Sequence, residues 1–184
     1  DGQEFILSVG TLEIRKNFTV LLDAYRCLSR IEGINLPLLV IVGKEGWNNG
    51  WIKYQCDTDT VLQKHVRILE DVNDQDLIWL YQNCLFSLFP SLYEGWGLPI
   101  SESLKNGRPC ICSGISSMTE IAPDLCVFAS PYSVADWTAA IFYFLENPKE
   151  LAELSQRIHD SYVETSWSQT SSFIIDSILS EVSQ

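Results

Sequence analysis

Two carboxylates, Glu94 and Glu102, flank the run Gly95-Trp96-Gly97-Leu98-Pro99-Ile100-Ser101, and these residue types suit a polar ligand that also carries an anion. An apolar stretch from Leu85 to Phe89, broken only by Ser87, precedes them as a buried strand, and a short helical pattern closed by Asn106-Gly107 follows. In such a strand-loop-helix unit, Gly95 and Gly97 let a ligand approach the backbone closely. Pro99 fits the first helical turn, where its missing N–H is not needed. The N–H groups of Trp96, Gly97 and Leu98 then point out of the helix N-terminus, where the positive end of the helix dipole favours a phosphate. Glu94 before this cradle and Glu102 about one turn into the helix supply acceptors for sugar hydroxyls at either end. A nucleotide sugar fits that constellation. The plainer role for Glu102 is a first-turn acid that complements the dipole.

The run Glu-Gly-Trp-Gly-Leu-Pro-Ile-Ser-Glu, residues 94–102, resembles the Glu-x7-Glu signature of retaining glycosyltransferases of the GT-B fold, in particular glycosyltransferase family 4. The likeness extends to Pro90-Ser91, to Gly107-Arg108-Pro109 and to the Ser-x-x-x-Glu segment ending at Glu120. Gly10-Thr11-Leu12-Glu13-Ile14-Arg15-Lys16-Asn17 likewise resembles the first donor-site loop of that family, in which a basic residue at the Lys16 position reaches the diphosphate. Read without the family, Lys16 is a solvated loop cation. Thr11 is a departure, because many members carry Arg directly after the glycine; more of the load then falls on Arg15 and Lys16.

The resemblance implies that Arg15, Lys16 and the helix N-terminus stabilise charge on a departing diphosphate without a metal. It also implies that Glu102 holds the ribose, and that Glu94 contacts the sugar ring and stabilises positive charge at the anomeric carbon. Leu69 through Val72 would offer backbone groups to the base, Gly10 and Thr11 would line the donor, and Glu120 would hold the turns around the site. The reaction implied is transfer of a hexose to a glycan acceptor. Mannose from GDP-mannose, in bacterial polysaccharide or lipopolysaccharide synthesis, is the leading choice. Glucosyl transfer from UDP-glucose, a non-catalytic nucleotide-sugar binder, and a glycosidase using Glu94 and Glu102 as its acid and nucleophile stand as alternatives.

Strands must position these residues. Phe5–Val9, Leu38–Val42, Val66–Leu69, Leu85–Phe89, Pro109–Cys112 and Cys126–Ala129 are short apolar runs that alternate with helical patterns and lack hairpin turns. They predict an α/β fold with a doubly wound parallel sheet of about six strands. Gly10, Leu69, Pro90 and Ser113 each follow a strand, so they converge on the crevice outside the carboxyl ends. No Gly-x-x-Gly follows Gly10, which excludes the dinucleotide fingerprint. Ser113 to Ser117 is either a second phosphate-facing turn or an ordinary capped one. Tyr54 to Lys64 reads as one helix. Gly43 to Trp51 reads as a Gly- and Asn-rich lip whose Trp47 and Trp51 pack against the body. Three further helical patterns follow, at Val134–Glu146, from Pro148 to about Thr165, and at Ser168–Val182.

Charge and composition narrow the partners. With 24 acids against 12 bases the net charge is −12, which repels nucleic acid and anionic lipid. The six cysteines and two histidines keep no metal-ligand spacing, and Cys84, Cys110, Cys112 and Cys126 sit in or beside apolar runs as small hydrophobes. No apolar run is long enough to span a membrane. Residues 1–184 read as one donor-binding domain, expected in the cytoplasm, facing an N-terminal acceptor domain that the sequence lacks and that would make any contact with the inner membrane. Ser166-Trp167-Ser168 resembles the family's Ser-Trp signature before its last helix. That helix, about residues 168–182, bears Phe173, Ile174, Ile175, Ile178, Leu179 and Val182. It is expected to cross to the acceptor domain or, without it, to drive self-association.

Overall fold

A strand that is apolar at every position needs cover on both faces. The computed structural model, which describes residues 2–46, 50–164 and 167–182, supplies it. The strands are β1 (Phe5–Val9), β2 (Leu38–Val42), β3 (Val66–Leu69), β4 (Ser87–Phe89), β5 (Cys110–Ser113) and β6 (Cys126–Ala129). They form one sheet in the order β3-β2-β1-β4-β5-β6, with every pairing parallel. The helices are α1 (Phe18–Leu28), α2 (Gly50–Thr58), α3 (Thr60–His65), α4 (Asp74–Asn83), α5 (Leu98–Lys105), α6 (Val134–Glu146), α7 (Pro148–Ser161) and α8 (Trp167–Val182).

The two-residue period of the strands sorts the core. Ile6, Leu39, Ile41 and Ile111 pack with Leu21 and Tyr25 of α1 and Trp137 and Ile141 of α6. Phe5, Leu7, Val40 and Val42 face the other way, onto Leu80 and Tyr81 of α4. Phe89, Cys110 and Cys112 meet Ile100 and Leu104 of α5 and Ile158 of α7. The doubly wound sheet expected from the sequence is therefore present. Chain order reverses between β1 and β4, which pair through Leu7 and Ser87, so the topological switch point lies at their carboxyl ends.

Three local expectations are corrected. The predicted helix over Tyr54–Lys64 is two helices broken at Asp59, whose carboxylate accepts from the amides of Val61 and Leu62 and pairs with Arg26 Nε at 2.6 Å. An N-cap this well satisfied starts a new helix and does not continue the old one. Trp51 does not pack on the body. It is 61% exposed and stacks on Tyr54, while Trp47 lies outside the described residues. The pattern drawn from Pro148 to Thr165 ends at Ser161, where Tyr162 turns extended, and Thr165 lies outside the described residues.

In α8, Phe173, Ile174, Ile175, Ile178 and Leu179 are all more than half exposed. Ser166 and the side chains of Trp167 and Val182 fall outside the described residues. No helix of the described residues is long and apolar enough to cross a membrane.

Candidate functional site

The loop after β1 is shaped by close backbone approach. Gly10 donates its N–H to Val42 O at 2.9 Å, and a Cβ on Gly43 would stand 1.9 Å from Gly10 O, so no side chain fits there. Leu12 then bridges to the loop after β2, donating to Lys44 O at 2.9 Å and accepting from Gly46 N at 3.1 Å. These bonds hold the start of a short 3-10 turn, Ile14–Lys16, whose last two residues are the predicted cations. Thr11 is exposed on the same loop.

Asn17 ends this turn in the left-handed region, at φ 55°, a conformation asparagine tolerates better than most residues. Its Nδ2 donates to Pro90 O at 3.1 Å and to Pro131 O at 2.9 Å, and Leu92 N donates to Arg15 O at 2.8 Å. The loops after β1, β4 and β6 are thereby tied together, and Lys16, Arg15 and Glu94 meet. Lys16 Nζ lies 2.6 Å from Glu94 Oε1 and 4.9 Å from the centre of the Phe89 ring. Arg15 Nη1 lies 2.7 Å from Glu94 Oε2 and donates to Tyr93 O at 2.8 Å, while its Nη2 is 2.6 Å from Glu13 Oε1. The Lys16 and Glu94 side chains are 12% and 11% exposed, so Lys16 is not the solvated loop cation of the plain reading. Burial works to raise the Glu94 carboxyl, but the hydrogen bonds from Lys16 and Arg15 outweigh it and hold the group below its ordinary range. The Glu94 partnership in turn raises the Arg15 guanidinium against a smaller effect of burial.

Two serines fix the backbone beneath Glu94. Ser116 Oγ donates to Glu94 O at 2.9 Å, and Ser117 Oγ donates to Glu94 O at 2.8 Å and to Trp96 O at 3.2 Å. Of the two roles left open for this turn, their hydroxyls thus serve a structural one. Glu120, expected to hold these turns, does not. It is exposed, and its side chain makes no hydrogen bond or ion pair among the described residues; the short Ser116 and Ser117 side chains reach the carbonyls instead. Sequence reading also gave no role to Asn17, although an asparagine directly before an apolar helical pattern is a recognisable boundary signal. No sequence signal marks Ser116 and Ser117 as the clamp.

Helix α5 starts where predicted, with Gly97 as its N-cap and Pro99 in the first turn. The N–H groups of Trp96, Gly97 and Leu98 make no hydrogen bond to any described residue; Trp96 and Leu98 are exposed and Gly97 is buried. Gly97 is corrected in one respect. Its φ is +113°, and a Cβ there would meet Ile100, Ile121 and Phe89 at 3.2–3.5 Å, so its bareness serves the turn and the core beneath. Of the two loop glycines, it is Gly95 that opens to unfilled space. Trp96 Nε1 donates to Ser101 Oγ at 3.3 Å, leaving Trp96 and Leu98 about half exposed on the rim.

Glu102 is not a bare first-turn acid. Its Oε2 accepts from Tyr81 OH of α4 at 2.9 Å. Burial first, and the charge of Glu102 second, push the Tyr81 phenol well above its ordinary range, so it remains a neutral donor. At the edge of the sheet, Leu69 O accepts from Gly43 N at 3.0 Å, which leaves one lone pair of that carbonyl for another donor. Val72 packs against the cluster around Leu80 and Tyr81. A hollow of about 580 Å³, lined by Lys53, Arg67, Glu70 and others, lies along β3 and not at the switch point. The described residues hold no cluster of three or more His, Cys, Asp or Glu placed to bind a metal ion.

Residues 1–160 match the family described as Glycosyl transferases group 1. The chain is 34% identical over 145 residues to the O-antigen chain mannosyltransferase B of Escherichia coli, covering 79% of this chain and 38% of that protein. It is 27% identical over 173 residues to the serotype-specific mannosyltransferase WbdA of Escherichia coli, covering 94% of this chain and 21% of the relative. The chain thus spans well under half the length of these two relatives. The fold is shared with TarM, at a TM-score of 0.73 and 15% identity over 86% of this chain and 31% of that one. It is shared as well with HepE of Anabaena in complex with UDP, at 0.73 and 17% over 85% and 43%.

Proposed function

We propose, since the chain belongs to the group 1 glycosyl transferases, that its crevice binds a nucleotide diphosphate sugar and delivers the hexose to a glycan acceptor held by a facing domain. One observation carries this reading. Two cations from the loop after β1 converge with a carboxylate and a row of unbonded amides from the loop after β4, at the switch point of a parallel sheet. Lys16 and Arg15 would take the diphosphate together with the amides of Trp96, Gly97 and Leu98, and Glu102 the ribose. Glu94 would contact the hexose and stabilise positive charge at the anomeric carbon. Gly10 and Thr11 would line the donor, and the segment from Leu69 to Val72 would meet the base through its backbone. The cations would neutralise charge on the leaving diphosphate, so no metal is required.

The donor half of a retaining, family 4 enzyme of Glu-x7-Glu type is the finer assignment. GDP-mannose is its leading donor, on the strength of the mannosyltransferases to which the chain is similar. UDP-glucose is the second reading, favoured by the shared fold of HepE, which has been crystallised with that nucleotide sugar. Calorimetric titration with GDP, UDP, GDP-mannose and UDP-glucose, with and without magnesium, tests the assignment. Binding of one base without metal is the expected result. Absence of binding by all four ligands would sink it.

A further inference from the structure

Glu13, Arg15, Glu94 and Lys16 form one continuous line of contacts, each link between 2.6 and 2.7 Å. Two acids and two bases cancel, so the line is neutral as it stands. The protein around it carries a net charge of −12. A diphosphate approaching this crevice therefore meets cations that already have a carboxylate partner. Both oxygens of Glu94 are engaged, one by each cation, and its backbone is pinned by Ser116 and Ser117. A phosphate that takes the place of Glu94 on Lys16 and Arg15 separates the carboxylate from both cations. The displaced carboxylate, 11% exposed in its paired position, then needs new donors, because a buried charge without partners is costly.

We propose that this exchange makes Glu94 a specificity-determining residue that favours the intact nucleotide sugar over the bare nucleoside diphosphate. The inference rests on the donor-binding reading above. An intact donor brings both parts of the exchange. Its phosphates replace the carboxylate on Lys16 and Arg15, and its hexose hydroxyls donate to the carboxylate they displaced. A nucleoside diphosphate brings only the first part, so it binds against an uncompensated Glu94. The same competition assists departure of the diphosphate after transfer, because Glu94 can return to its cations once the hexose has gone.

The test is calorimetric titration of the full protein, wild type and Glu94→Gln, with GDP, GDP-mannose, UDP and UDP-glucose. The variant should bind the bare diphosphate about tenfold more tightly than wild type, because one charge-assisted competitor is removed. Affinity for the nucleotide sugar should be flat or lower, so the preference for sugar over diphosphate falls by about tenfold or more. Weaker diphosphate binding in the variant, or an unchanged preference, would overturn the proposal and leave Glu94 as a residue that merely orients Lys16. Failure of the wild type to bind any of the four ligands would overturn the donor-binding reading with it. Were the variant to unfold, the wild-type protein still decides the matter. The 13C carboxyl signal of Glu94 should leave its ion-paired position when donor is added, and a signal that stays in place would refute the exchange.

Discussion

Lys16 Nζ and Glu94 Oε1 stand 2.6 Å apart although 78 residues separate them. A pair with both side chains nearly buried is worth more than a surface ion pair, because water screens it poorly. Losing one partner leaves the other charge in a poorly hydrated place.

Lys16→Ala should therefore act twice. It should lower stability by roughly 1–3 kcal/mol, because Glu94 keeps only Arg15, and it should weaken nucleoside diphosphate binding by about tenfold or more. Thermal melts and calorimetry on the same preparation separate the two effects. Unchanged affinity in a folded variant would remove Lys16 from the site.

The lowered Glu94 carboxyl gives a pH prediction with a definite sign. Its folded value lies below the ordinary 4.5, so the unfolded chain binds the proton more readily. The stabilisation is then complete above about 4.5 and is lost as pH falls through the folded value. Wild type should melt above Glu94→Gln at pH 7, and the gap should narrow progressively as pH falls below about 4.5. A gap that is constant with pH would mean that the ion pairs contribute nothing to stability.

Tyr81 and Glu102 should separate fold from binding. Glu102→Gln retains an oxygen to accept from Tyr81, so stability should change little while nucleotide affinity drops through loss of the charged acceptor for the ribose. Tyr81→Phe should instead cost about 1 kcal/mol of stability, the net worth of the hydrogen bond. Denaturant titration and calorimetry give both numbers. A Glu102→Gln variant that loses stability and keeps its affinity would place Glu102 in the scaffold.

The glycines predict opposite outcomes. Gly43→Ala drives a Cβ into Gly10 O and should cost about 3 kcal/mol or more, since backbone on both sides must move. Gly95→Ala meets nothing within 4 Å and should stay within about 0.5 kcal/mol of wild type. Its effect should appear in ligand affinity alone. Equal melting temperatures for the two variants would refute the close approach of the β1 and β2 loops.

Helix α8 carries Phe173, Ile174, Ile175 and Ile178 in water, and each forgoes roughly 1.5–3 kcal/mol of burial. The 184-residue chain should self-associate through this stripe, and a truncation after Trp167 should be monomeric with nucleotide binding intact. Sedimentation velocity reads the association state. Identical sedimentation of the two chains would remove α8 as the cause.

The six strands, their parallel arrangement and the loops that line the crevice were legible in the sequence, because side-chain period and apolar runs are local properties. Pro99 and Gly97 marked the start of α5 for the same reason, each by a backbone constraint of its own. Chain order in the sheet was not local. Placing the β1 loop beside the β4 loop required the packed sheet, and only that neighbourhood brought Lys16 and Arg15 onto Glu94. The sequence showed two cations and an acid, while the structure decided that they neutralise one another. Tertiary structure likewise gave Ser116, Ser117 and Asn17 their work, because a hydroxyl or an amide declares no partner until a distant carbonyl is within 3 Å or so of it. Glu120 was misread by the same logic, since a carboxylate beside a turn in sequence holds nothing when it points to solvent.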